Sequence, residues 1–234
     1  MKQAWSDWLL TFYDLLKRLG LDLPKNAFAH ECDGFFSKVA PLGDENDLTE
    51  LERRIKSLGN KLNLILDNAQ LRPIADTIAS AWQTHISIDP DTIPVLRAIK
   101  QNKKIGLVSN FDHPPHVQNV LTQYGIESFF DTIVISGEVE VKKPDPAIFS
   151  FALEQTGLLQ NEVIYVGDTD DDVDGATAAG IQPILIARPV HRTDSTALDY
   201  QVSNNGTEPP NHFSSKNEVK VVKSLPEILS ITNP

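Results

Sequence analysis

From about Asp89 onward, short and nearly uninterrupted apolar runs alternate with helix-patterned segments, and this alternation restricts the fold more than any other feature of the chain. The runs are Ile105–Val108, Thr132–Ile135, Val163–Val166, Pro183–Ile186 and Val219–Val222. Helical patterns cover Thr92–Gln101, His116–Tyr124, Pro146–Thr156 and about Asp172–Ala179, and Ser224–Ile231 follows the last run. A short strand that is apolar at successive positions needs cover on both faces, as parallel strands joined by helical crossovers have. Such crossovers are right-handed. The fold class expected is therefore α/β, with a doubly wound, Rossmann-like parallel sheet.

Before Ile88 the pattern is different. Trp8, Phe12, Leu15, Leu16 and Leu19 recur at helical spacing, as do Leu51, Ile55, Leu58, Leu62 and Ile65. Gly20, Pro24, Pro41, Gly43 and Pro73 punctuate this region, and Asp47–Glu50 has the spacing of a capping box. Two domains follow: an all-helical one over residues 1–88 and the α/β core over 89–234. Between about 189 and 218 the core carries a polar, irregular loop containing Asn204, Asn205, Gly206, Pro209 and Pro210. A chain of 234 residues is long enough for both.

Acidic residues exceed basic ones, 32 to 21, for a net charge of -11, so a nucleic acid would approach against the mean field. No nucleic-acid partner is expected. Cys32 is the only cysteine, which excludes an intrachain disulfide and a Cys/His zinc cluster and fits a reducing, cytoplasmic setting. The first 23 residues mix Trp5, Trp8 and Leu9 with Asp7, Asp14, Lys17 and Arg18, unlike a signal peptide, and no apolar run is long enough to span a bilayer.

In open α/β sheets the chemistry collects just beyond the strand ends. Three clusters lie there: Ser109 and Asn110, then Lys142 to Pro146, then Gly167 to Asp172. A hydroxyl, an amine and paired carboxylates in this order resemble motifs II, III and IV of the haloacid dehalogenase superfamily. The likeness includes the Lys-Pro-Asp-Pro-x-Ile-Phe stretch from Lys143 to Phe149 and the Gly-Ala...Ala-Gly helix ending at Gly180, and it covers roughly Asp89 to Arg188. The resemblance implies a hydrolase of the phosphatase type acting on a small phosphorylated metabolite, with the helical N-terminal third as its cap. An aspartate would attack phosphorus, and Mg2+ would neutralise charge on the transferring group. Asp168 would be a metal ligand, and Asp172 would hold a metal-bound water or orient Asp168 and Lys143. Ser109 and Asn110 would meet the phosphoryl group, and Lys143 would pair with nucleophile and phosphate.

Other readings of these residues are weaker. Asp168, Asp170 and Asp172 alternate as in a calcium loop, but the sharp-turn position is Val173 rather than Gly, and the position of the terminal carboxylate is Ala179. A Ser109/Lys143 dyad leaves the acidic cluster without a role. Asp170, Asp171 and Asp174 suit the positive end of a helix, Lys142 a solvated position, and His113 and His116 the surface.

The superfamily's first motif, an apolar strand ending in Asp-x-Asp-x-Thr, is not found. Asp7–Thr11 is the nearest match, but no strand precedes it, and Asp33 sits within a helical pattern. By the resemblance, the strand in question lies between those ending at Val108 and Val166. Two explanations stand: a chain that begins downstream of its nucleophile, or a non-catalytic relative that binds phosphorylated ligands or a partner. The first is the expectation favoured, because one substitution removes a nucleophile without leaving buried backbone groups unpaired.

Overall fold

The computed structural model describes residues 2–36, 47–188 and 219–232. It divides after Ser87 into two compact units. The polar stretch at 189–218, and Pro41 and Gly43, lie outside the described residues.

The first unit is helical: α1 (Lys2–Arg18), α2 (Lys25–Glu31), α3 (Glu50–Lys61) and α4 (Asn68–Gln83). Trp8, Phe12 and Leu16 form an i, i+4 stripe along α1, and the stripe meets Phe28, Ile55, Leu71 and Ile78 in one core. Trp8 alone touches the rings of Phe12 at 5.3 Å, Phe35 at 5.6 Å and Phe36 at 5.3 Å. Capping falls two residues later than Asp47–Glu50 suggests: Thr49 accepts from Glu52 N–H at the start of α3, while Glu52 accepts from Thr49 N–H. That placement leaves the Glu52 carboxylate buried, so it also needs the Arg72 guanidinium as a partner. Burial works against the Glu52 charge, but its bonds to Arg72 and Thr49 prevail and hold the carboxyl below the usual range.

Two further details depart from the sequence reading. Helix α4 runs through Pro73 instead of breaking there. Its first turn is anchored by a second capping box, Asp67 with Gln70, and Leu71, Ile74, Ala75 and Ile78 are buried on either side of the proline. Helix α3 ends before Leu62 and Ile65, because Asn63 adopts φ 57°, and Ile65 is left 89% exposed.

The second unit is the α/β one. Its strands are β1 (Gly106–Ser109), β2 (Thr132–Ile135), β3 (Ile164–Gly167), β4 (Gln182–Ile186) and β5 (Lys220–Val222). Its helices are α5 (Thr92–Lys100), α6 (Pro114–Gln123), α7 (Ser136–Val139), α8 (Ala147–Thr156), α9 (Asp170–Ala178) and α10 (Leu229–Thr232). All three pairings among the described residues are parallel, in two sheets. β1 pairs with β2, Val108 opposite Val134, while β4 lies between β3 and β5, with Ile184 opposite Val166 and Lys220.

Alternation along each strand supplies two cores. Val108, Val134, Ile148, Phe149 and Ala176 pack together with Val163 and Tyr165. Ile184, Ile186 and Val222 pack on the other side with Ile164, Val166, Ile99 of α5 and Ile231 of α10. Helices therefore cover both faces, as a doubly wound fold requires. The first core joins residues of β1 and β3, yet among the described residues no strand pairs with the remaining edge of either. No described helix is long and apolar enough to cross a membrane.

Candidate functional site

The site is built from the ends of β1 and β3 and the loop after α7, and its geometry follows from one helix start. Thr169 is the N-cap of α9 and Asp172 its third residue, so each side chain reaches the other's backbone in a capping box. Asp172 Oδ2 accepts from Thr169 N–H at 3.1 Å, Asp168 N–H at 3.1 Å and the Thr169 hydroxyl at 2.8 Å. Oδ1 is turned the other way and accepts from Lys143 Nζ at 2.7 Å and Tyr165 OH at 3.0 Å. Gly167 makes room for this carboxylate: a Cβ there would lie 2.6 Å from Asp172 Oδ2.

Lys143 is drawn to the same point. Its ammonium donates to Asp172, to Tyr165 OH at 2.8 Å and to Val108 O at 3.1 Å, so three N–H groups meet three acceptors. The pair is deeply placed, with the Lys143 and Asp172 side chains 10% and 6% exposed. Burial by itself penalises the Asp172 charge, but the bond to Lys143 and its charge, followed by the bonds to Thr169, hold the carboxyl below its usual range. Asn110 fastens the loop that carries Lys143. Its Nδ2 donates to Lys143 O at 3.0 Å, and its Oδ1 accepts from Lys143 N–H at 2.9 Å.

Of the residues named from sequence, Asn110, Lys143 and Asp172 are thus joined in one hydrogen-bonded group, and Asp168 touches it through its backbone. Ser109 is half-buried at the end of β1, one residue beyond the Val108 carbonyl that Lys143 reaches. Asp168 is exposed, and no described residue makes a hydrogen bond or ion pair to its carboxylate. Asp170, Asp171 and Asp174 are exposed on the first turns of α9. Burial, then repulsion from Asp172, Asp170 and Asp174, raises the Asp171 carboxyl.

The surface placement of His113 and His116 is corrected by the structure. Both are buried, because α6 begins at Pro114 and brings the His116 ring onto Phe111, centroids 5.4 Å apart. Asp7 lies on α1 and accepts from Gln3 Nε2 at 2.8 Å, with His85 Nε2 at 2.9 Å. Tyr165 and Thr169 were missed. A phenol within an otherwise aliphatic strand was the available signal, since a buried hydroxyl needs a partner.

The sequence profile described as haloacid dehalogenase-like hydrolase matches residues 48–186, more than half of the chain. The chain belongs to this family. It is 28% identical over 179 residues to a glyceraldehyde 3-phosphate phosphatase of Methanopyrus kandleri, covering 69% of this chain and 76% of that protein. Matches to further curated relatives span between 26% and 48% of those proteins' lengths. Among solved structures, a phosphatase of the family from Thermococcus onnurineus superposes with a TM-score of 0.60 at 19% identity, over 97% of this chain and 88% of that one. The magnesium-bound hydrolase YfnB from Bacillus subtilis gives 0.55 at 17% identity, over 98% and 92%. These likenesses carry the fold.

Proposed function

We propose that the strand ends of the second unit bind the phosphoryl group of a small phosphate monoester and that the protein is a Mg2+-dependent phosphatase. The observation that carries this reading is the buried Lys143–Asp172 pair beside the exposed Asp168 carboxylate. Lys143 supplies a fixed positive charge and Asp172 holds it in place, while Ser109 stands at the same strand edge with a hydroxyl to offer. Asn110 acts on this reading as the clamp of the Lys143 loop, because its amide is already committed there.

The donor set suits Mg2+. No group of three metal-ligating side chains exists among the described residues, but Mg2+ keeps several waters and takes one or two carboxylates together with substrate phosphate oxygens. Asp168 has a carboxylate open for that purpose. Asp172 already accepts five hydrogen bonds, so its part is to orient Lys143 and the Asp168 backbone. Bound there, the ion would neutralise charge on the phosphoryl oxygens. By the family resemblance, the helical unit, residues 1–88, would serve as the substrate-selecting cap of the core, 89–234. The single, buried Cys32 suits a cytoplasmic setting.

A second reading has its own support. Among the described residues no strand pairs with the free edges of β1 and β3, which suits a non-catalytic relative that binds phosphate esters or a partner. Addition of Mg2+ should raise the chain's melting temperature, and Asp168→Asn should remove the rise. An unchanged response in that variant would refute the metal assignment. Hydrolysis by the chain that needs Mg2+ and Asp168 would decide for catalysis over binding, and Asp7 would then be the first residue to replace.

A further inference from the structure

Tyr165 belongs to no motif recognised in the sequence, yet its hydroxyl lies where β1, Lys143 and α9 meet. The ring is anchored edge-on against Phe149, centroids 4.8 Å apart, within the core shared by β1 and β3. The hydroxyl is 2.8 Å from Lys143 Nζ, 3.0 Å from Asp172 Oδ1 and 3.2 Å from Val108 O. Burial first, then the charge and hydrogen bond of Asp172, push the phenol far above its ordinary value, so the oxygen keeps its proton. It therefore accepts from Lys143 and has one proton to donate, to Asp172 or to the Val108 carbonyl.

Asp172 alone would hold one N–H of a flexible four-carbon side chain and leave the ammonium free to turn about that bond. Tyr165 and Val108 O supply the other two acceptors, and of these only Tyr165 is a side chain. We propose that Tyr165 is a positioning residue for Lys143, holding the ammonium against Asp172 at the strand ends where the phosphoryl group is received. The contribution to ligand binding rests on the function proposed above; the hold on Lys143 does not. Phenylalanine at this position would keep the ring contact with Phe149 and remove only the hydroxyl, which separates packing from positioning.

The test is lysine ammonium NMR on the full chain, with Lys143 assigned through Lys143→Met and the exposed Lys142 as reference, alongside calorimetric titration of inorganic phosphate in the presence of Mg2+. In the wild type the Lys143 ammonium protons should exchange with water about tenfold or more slower than those of Lys142, as expected for a buried, fully bonded donor. Tyr165→Phe should melt as one cooperative unit, lose most of this protection and bind phosphate about fivefold more weakly, the worth of one net hydrogen bond. Wild-type exchange as fast as at Lys142 overturns the proposal. So does a folded Tyr165→Phe protein with unchanged exchange or unchanged phosphate affinity. If that variant does not fold, 3,5-difluorotyrosine at position 165, a weaker acceptor, should speed exchange at Lys143, and unchanged exchange overturns the proposal equally. A wild-type chain that binds no phosphate removes the functional reading, while the exchange comparison still decides whether Tyr165 holds Lys143.

Discussion

Replacing Asp172 with asparagine probes the arrangement at its most loaded point. The carboxylate accepts on both sides, from Lys143 and Tyr165 at Oδ1 and from two backbone N–H groups and the Thr169 hydroxyl at Oδ2. An amide offers one acceptor oxygen. Whichever way it turns, its NH2 faces donors, and the Lys143 charge, 10% exposed, loses its counter-ion. Breaking a buried pair from one side costs about 3–5 kcal/mol, and the retained oxygen places Asp172→Asn near the lower end. At ~2–4 °C per kcal/mol for a protein of this size, the melting temperature should fall by roughly 6–12 °C. The assay is thermal melting of a double-mutant cycle with Lys143→Met. The double variant should be no less stable than Asp172→Asn alone, because the methionine removes the uncompensated charge. A fall of less than about 2 °C, or effects of the two substitutions that add within ~0.5 kcal/mol, would refute a mutually stabilising pair.

Further expectations follow from the same geometry. Since the folded-state carboxyl of Asp172 is depressed, its contribution is complete above the unfolded value of about 3.9 and is lost as pH falls through that value towards the lower folded one. The gap in urea midpoint between wild type and Asp172→Asn should accordingly narrow only below about pH 4, and a gap that closes near neutrality would contradict the assignment. Gly167→Ala places a methyl against the Asp172 carboxylate and should cost about 1–3 kcal/mol by denaturant titration, more than Gly157→Ala, where a Cβ meets nothing within 4 Å, although φ is 67°. Thr49→Ala opens the box that seats the buried Glu52 and should cost ~1 kcal/mol or more. A stability equal to wild type would mean that Arg72 alone holds that carboxylate.

The strands were legible because each is apolar at successive positions, and β2 and the end of β4 fall where the pattern puts them. Lys143 and Asp172 were legible through the family resemblance, and the structure joins them in one ion pair. What escaped notice was hidden by residue type. Tyr165 reads as one more apolar strand residue, since composition does not reveal which way a hydroxyl turns. His113 and His116 read as surface residues because burial of α6 is a tertiary outcome. Asn110 reads as a ligand contact, and only the structure adds its two bonds to the Lys143 backbone. In the helical unit, Leu62 and Ile65 continue the 3.6-residue period in sequence, but Asn63 turns the chain out of the helix, so Leu62 still packs on the core while Ile65 does not. The one-turn α7 lies in what reads as a connection, with Ser136 Oγ accepting from Phe111 N–H at 3.0 Å.

The most direct test of the central claim is calorimetric titration of inorganic phosphate into the 234-residue chain, with Mg2+ and with chelator, for the wild type, Asp168→Asn and Lys143→Met. Saturable binding that requires Mg2+ and is lost in both variants is the result predicted. Binding of equal strength in chelator, or undiminished in Lys143→Met, would contradict it.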